Sequence, residues 1–433
     1  MQNRAEPASS VRMPQAGAIP DAGPHPLASW LLQFAADLYI TAVYHREVIL
    51  PPGFRMRPGS IIASNHQRDV DGPVLGTALL DRHGLRFAGV LPYFVTREDL
   101  FRPGILARLA VHWPRAFSGL LRRISLAWFF PLGRTEPMRR TREFTLGDAL
   151  RALVAEGLGD ADAGSLLNAR GQRETGARPG ELTVDALLER DDDALEQWWG
   201  LRRFSRPARA TIAPGFRATV ERQIAHFAAR LDQGCCIYFA PEGTISTHGP
   251  FGRIRGGFYR IACATESPPW IQPIGLGYDT LAPGKSRVVI RIGEAFRADT
   301  RMRRCEFDAK LRRAVLDLVT ITPSHLLARF LLHGPASFSV EELSRWLAQV
   351  HANLSANNAA VDPLFERVRF ERIAARRLRW LHRKGLVARV GDRFRNTCPR
   401  DLQPGWRRPG NVARYLDNAL SDFLPDIERL APC

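Results

Sequence analysis

Two short apolar runs in this chain stop at polar turns and are followed by a helical pattern, and that repetition limits the folds open to it. The first, Ser60-Ile61-Ile62-Ala63-Ser64, ends in Asn65 and His66, with Asp69, Asp71, Gly72 and Pro73 close behind. The second, residues 234–240, ends in Pro241-Glu242-Gly243-Thr244-Ile245-Ser246 and leads through 251–258 into another helical stretch. Further apolar runs at 85–91, 270–277 and 287–293 read as strands. Strands alternating with helices call for an α/β fold with a mostly parallel central sheet flanked by helices, since parallel neighbours need long crossovers. In such a sheet ligands bind at the carboxyl edge of the strands, so both turns are expected at one edge.

The first turn carries chemistry. Pro73 suits a first helical turn, where its missing N–H costs nothing. His66 therefore sits at a strand-to-helix turn, and across that turn Asp71 can fold back onto its imidazole. A histidine with a carboxylate orienter is the minimum equipment for activating a hydroxyl. The competing reading is an Asn/Asp-rich turn in which Asp69 or Asp71 caps the helix and His66 is merely exposed. Spacing alone does not choose between them.

Around this pair the chain divides into a disordered leader over 1–26, rich in Pro, Ala, Gly and Ser, a main domain over 27–305, and a helical domain over 306–433. Residues 27–40 show an amphipathic helix with Trp30, Phe34 and Leu38 on one side and Leu27, Leu31 and Tyr39 nearby. Burial against the domain and docking on a bilayer surface both suit that face. Residues 106–130 mix arginine with aromatic and aliphatic residues, a composition suited to an anionic lipid surface or to a basic face over a core. About 136–212 the pattern weakens, with Gly, Ala and Asp clusters, the run Asp191-Asp192-Asp193 and Trp198-Trp199, and an insertion that is partly loop is expected. A clear helix resumes at 219–231. The C-terminal region ends its helical series with a basic helix and a hairpin at 383–395, an outline similar to a winged helix.

All but Lys285, Lys310 and Lys384 of the 61 basic residues are arginine, and the net charge is +17. A positive surface favours acidic lipid, nucleic acid, or a phosphorylated or acidic carrier substrate. The cysteines show no paired metal-ligand or disulfide spacing, which suits a reduced cytosolic protein. No signal-peptide pattern opens the chain, so export is not expected. No run reaches the ~20 apolar residues of a spanning helix; the nearest candidate, 27–43, carries Gln33 and Asp37.

Other residues can complete a site. Glu242 can accept from a polyol, Gly243 permits close backbone approach and Thr244 offers a hydroxyl. Arg134, delivered at the end of the run Trp128-Phe129-Phe130-Pro131-Leu132-Gly133, and Arg253 or Arg255 can hold a phosphate through charge-assisted bonds. Taken singly, Glu242 reads as a capping or loop carboxylate and each arginine as part of a solvated face. Taken in order, the blocks resemble the glycerolipid acyltransferase family, which includes glycerol-3-phosphate and lysophosphatidic-acid acyltransferases. Asn65-His66-Gln67-Arg68-Asp69-Val70-Asp71 matches the family's NHxxxxD block, and Phe239-Ala240-Pro241-Glu242-Gly243-Thr244-Ile245-Ser246 its FPEGTRS block, with Ala240 inserted and Ile245 replacing the arginine. Phe129 to Arg134 resembles the second block and Ile271-Gln272-Pro273-Ile274 the fourth. The likeness spans about 45–297 without the insertion.

That resemblance implies transfer of a fatty acyl group from acyl-CoA or acyl carrier protein to a glycerolipid hydroxyl, on lysophosphatidic acid or glycerol 3-phosphate. His66 is then the general base and Asp71 its orienter, with Arg134, Glu242, Gly243, Thr244, Arg253 and Arg255 seating the acceptor. No metal or other cofactor is implied. The expected partner is a membrane surface carrying the lysolipid, approached peripherally from the cytoplasmic face, rather than nucleic acid. Two other classes fit parts of the chain: a metal-dependent hydrolase with His66, Asp69, Asp71 and Glu242 as ligands, and a DNA-binding protein working through its C-terminal hairpin.

Overall fold

A computed structural model describes residues 26–83, 86–89, 91–101, 127–139, 144–190, 195, 198–399, 403–405 and 410–430. Residues 1–25 of the leader expected over 1–26, most of the 106–130 region and the acidic run at 191–193 lie outside them.

The central sheet is built from β1 (Tyr44–Ile49), β2 (Ser60–Ser64), β3 (Tyr93–Arg97), β4 (Thr135–Met138), β5 (Ile237–Phe239), β6 (Trp270–Asp279), β7 (Ser286–Ile292) and the short β8 (Phe296–Arg297). Their spatial order is β1-β7-β6-β2-β5-β3-β4, with β8 paired to β6. Among the described pairings β1 with β7, β6 with β2, β2 with β5, and β3 with β5 are parallel. Hairpin partners β6 and β7 are antiparallel, as is β8 on β6. The sheet is therefore α/β and mostly parallel. All five residues of β2 are buried, as befits a strand covered on both faces. Its two serines are satisfied: Ser60 Oγ donates to the Arg57 carbonyl, and Ser64 Oγ shares a 3.0 Å hydrogen bond with the Tyr238 hydroxyl. Ile62, Val74, Leu75, Ile274, Leu276 and Ile290 form the core against this strand.

The sheet departs from the sequence reading at its third position. Residues Arg86–Gly89, inside the run expected as a buried strand, pair with Leu80–His83 in a separate two-stranded ribbon. The strand that enters the central sheet is β3. A short apolar run is not assignable by periodicity alone, and β3 carries the aromatic and β-branched residues that suit a pleated surface.

The chain forms two compact units, one built on Pro137–His226 and the other on most of the remaining described residues. The first is more ordered than its composition suggests. Thr145 and Asp148 form a capping box on helix Leu146–Ala155, while Asp162, Asn168 and Thr183 cap the short helices that follow. The Gly/Ala/Asp clusters are thus helix starts and turns. Phe144, Leu146, Leu150, Phe204 and Phe216 form the core of this unit, with Phe144 stacked on Phe216 at 4.3 Å. The helix expected at 219–231 begins at Arg206 and contains Pro214, a residue that in sequence marks a helix boundary.

In the second unit, helices Arg304–Leu316, Pro323–His333, Val340–Ala356, Phe370–Arg383 and Val412–Phe423 follow the sheet. A three-stranded antiparallel sheet places Arg393–Asn396 between Ser337–Phe338 and Val387–Val390. Buried ion pairs tie this region to the central strands, Arg377 on Asp279 and Arg287 on Asp362, and Arg287 also pairs with Glu47 of β1. The amino-terminal helix Pro26–Val43 turns Ser29, Asp37 and Ile40 inward, Asp37 pairing with Arg46 at 2.7 Å. Leu27, Leu31, Leu38 and Tyr39 are exposed.

Candidate active site

The turn after β2 is fixed before any functional atom is placed. Asn65 is buried and its side chain continues the ladder to β6: Nδ2 donates to the Leu276 carbonyl at 2.9 Å, and the Leu276 N–H donates to Oδ1 at 2.7 Å. The chain can then leave the sheet with its polar groups paired, and His66 follows at the edge. His66 is 21% exposed at its side chain, whereas Asp71 is fully buried.

Asp71 does not cap the helix it begins. Helix Asp71–Leu79 has no side-chain cap bond. The carboxylate instead folds back: Oδ2 receives the Gln67 N–H at 2.7 Å, the Arg68 N–H at 2.9 Å and His66 Nδ1 at 2.9 Å. Its Oδ1 receives the Tyr278 hydroxyl. A carboxylate can only accept, so Nδ1 of His66 carries the hydrogen and the Nε2 lone pair is left for chemistry. Burial, and next the charge on Asp71, push the Tyr278 phenol well above its usual range, which keeps it a donor. The Arg68 guanidinium lies 4.6 Å above the Tyr278 ring.

The second turn arrives on the adjacent strand. Ala63 of β2 is level with Phe239 of β5, so both chains leave the sheet at one edge. Glu242 is 3% exposed. Its Oε1 accepts the His66 N–H at 3.0 Å and its Oε2 the Gly252 N–H at 2.6 Å. Burial raises its carboxyl to about 7, against the opposing pull of those two N–H groups and of the charges on His66 and Arg312. Gly243 has φ 64°, a left-handed conformation that favours glycine, and its N–H closes the turn on the Ala240 carbonyl at 2.8 Å. The Ser246 N–H donates to the His66 carbonyl at 3.0 Å, so the second turn grips the first from both sides of His66.

The remaining residues singled out in the sequence divide. Thr244 is half-buried beside Gly243. Arg255 precedes helix Gly256–Ala264; its N–H donates to the Pro241 carbonyl at 2.8 Å and its Nε to the Glu242 carbonyl at 3.3 Å. Arg253 is exposed one residue after Gly252. Arg134 is placed elsewhere: it donates to the Leu91 carbonyl at 3.0 Å, lies over the Tyr93 ring and has φ 51°. Tyr93 pairs with Ile237, which is level with Ile61, at the end of the strands away from His66. Asp69 is exposed.

Three participants have no role of their own in the sequence reading. Tyr278 brings a hydroxyl into the buried strand β6, a signal that a partner is needed. Asn65 was legible only as part of a motif, and Gly252 gave no local signal because its role is a backbone N–H.

No protein-family model and no curated protein matches the chain. Among solved structures, the crystal structure of the 1-acyl-sn-glycerophosphate (LPA) acyltransferase PlsC from Thermotoga maritima is similar to it at 12% identity and TM-score 0.30, over 66% of this chain and 75% of that one.

Proposed function

We propose that this protein is an acyltransferase that moves a fatty acyl group from a thioester to a glycerolipid hydroxyl. The observation that carries the reading is the convergence of two distant sequence blocks on one histidine: Asp71 holds Nδ1, and Glu242 holds the backbone N–H of the same residue. Nε2 of His66 takes the proton of the acceptor hydroxyl as its oxygen attacks the thioester carbonyl. Asp71 keeps the tautomer and stabilises the imidazolium that forms. The proton then passes to the leaving thiolate, so no acyl-enzyme is required.

In this reading the donor is acyl-CoA or acyl carrier protein and the acceptor lysophosphatidic acid or glycerol 3-phosphate. In the same reading Arg253 and Arg255, beside the Glu242 turn, meet the acceptor phosphate. The exposed Leu27, Leu31, Leu38 and Tyr39 of the amino-terminal helix supply an apolar face for peripheral docking on the cytoplasmic side of a membrane. No helix among the described residues is long and apolar enough to cross one. The metal-dependent hydrolase reading loses support from the residues themselves. Both oxygens of Asp71 are taken by protein donors.

The test is thiol release from long-chain acyl-CoA by the full chain, with a panel of lysolipids and glycerol 3-phosphate. Release that depends on an acceptor hydroxyl, with the acylated acceptor recovered, is the expected result. Release without any acceptor would make the protein a thioesterase, and no release with any acceptor would remove the reading.

A further inference from the structure

Helix Val412–Phe423 comes from the far end of the sequence, yet its polar side chains meet the loop that joins Glu242 to helix Gly256–Ala264. Asp422 Oδ2 accepts the Phe251 N–H at 2.7 Å, and Oδ1 pairs with Arg312, which also donates to the Phe251 carbonyl at 2.8 Å. The next N–H in the chain, that of Gly252, is the one that holds Glu242 Oε2 at 2.6 Å. Glu242 Oε1 in turn holds the His66 N–H. Asn418 Nδ2 donates to the His248 carbonyl at 3.0 Å, and Gly249 lies so close that a Cβ there would meet the Tyr415 carbonyl at 2.2 Å. Ser246 finishes the loop, receiving the Gly249 N–H at 3.0 Å and donating to the Pro250 carbonyl at 2.8 Å.

A helix that only packs needs apolar contacts, and this one has them on its other face: Leu416 and Leu420 belong to the C-terminal core, and the Phe423 ring meets His325 edge-on at 5.4 Å. The polar face does something more specific. Its bonds go to backbone groups of the loop at Phe251 and His248, and the N–H next to Phe251, that of Gly252, is one that Glu242 accepts. Ala419, Asp422 and Phe423 also line the same cavity as His66 and Glu242.

We propose that helix Val412–Phe423 is a positioning element of the candidate active site, and that Asp422 is the residue through which it sets Glu242 and the His66 backbone. Asp422 touches neither side chain directly. It acts through the Phe251-Gly252 segment, and the kinetic part of its test rests on the acyltransferase reading.

The experiment compares Asp422→Ala and Asp422→Asn with wild type and with Asp426→Asn, a change at an exposed residue just past the helix. Full-length protein labelled with 15N-histidine reports the ring signals of His66, assigned by their loss in His66→Ala. Asp422→Ala is expected to displace those signals and lower kcat by about 10- to 100-fold, with KM for the acyl donor changed by no more than about twofold. Asp422→Asn keeps an acceptor for the Phe251 N–H and is expected to recover most of that loss. Asp426→Asn should match wild type. Unmoved His66 signals in folded Asp422→Ala would overturn the proposal, and so would a loss in KM with kcat intact. If Asp422→Ala fails to fold, Asn418→Ala takes its place: displaced His66 signals support the proposal and unchanged ones overturn it. An absence of acyl transfer in wild type would defeat the acyltransferase reading alone, since the ring signals still decide this one.

Discussion

Two buried carboxylates leave adjacent parallel strands at the same edge of the sheet, and their surroundings give them different work. Asp71 receives four donors from His66, Gln67, Arg68 and Tyr278. Glu242 receives two backbone N–H groups, and burial raises its carboxyl to about 7. Four protein groups therefore fix the carboxylate of Asp71, and two backbone groups fix that of Glu242. Asp71 acts on the ring of His66 and Glu242 on its backbone, so one histidine is held by two carboxylates with separable effects.

The comparison breaks most directly at Asp71. Asp71→Asn keeps the shape but offers Nδ1 an amide that can present the wrong partner; acyl transfer should fall by about 10³-fold or more with KM little changed. Equal losses from Asp71→Asn and Glu242→Gln would erase the distinction between orienter and seat. Glu242→Gln should cost about 10- to 100-fold in rate, because a carboxamide cannot accept from both N–H groups with two oxygens.

The same substitution sharpens the comparison through pH. Between its ordinary value of 4.5 and about 7, Glu242 holds a proton in the folded protein that the unfolded chain has released. That contribution to stability is fully present below 4.5 and is lost as pH rises through about 7. Unfolding free energy of wild type should thus decline from pH 5 to 8 by about 3 kcal/mol more than that of Glu242→Gln. Urea titrations at several pH values measure the difference, and parallel curves for the two proteins would contradict the placement of Glu242.

Smaller changes address the donors. Tyr278→Phe removes one donor from Asp71 and should cost about 1–3 kcal/mol of stability, with a rate loss of roughly tenfold. Gly252→Ala should cost least, a few-fold in rate by about 1 kcal/mol of displacement: a Cβ there meets Glu242 Oε2 at 2.9 Å, near enough to shift that carboxylate. Stopped assays beside thermal unfolding would separate the two effects.

Much of this edge was legible in the sequence. The run 60–64 ending in Asn65-His66 and the run ending in Pro241-Glu242-Gly243 announced two strand-ending turns, and the β-α alternation placed them together. Asp71 as orienter was legible as one of two readings; in the fold its carboxylate meets His66 Nδ1 and makes no cap bond to its own helix. Other features were not legible for identifiable reasons. Arg134 resembled part of a family block, but what it meets depends on which strand pairs with β3, and sequence does not state that. The segment over 136–212 hid its helices because capping residues and loop residues are the same types. Asp422 carried no signal at all, since its partners, a backbone N–H and Arg312 more than a hundred residues away, meet it only in the fold.

The central claim is that His66 accepts the proton of the acceptor hydroxyl. Its most direct test is the acyl-transfer rate of folded His66→Ala beside wild type, at saturating acyl-CoA and with the best acceptor found. The account predicts a loss of about 10²- to 10⁴-fold in kcat, the range that general-base catalysis supplies. Equal rates in the two proteins would contradict it.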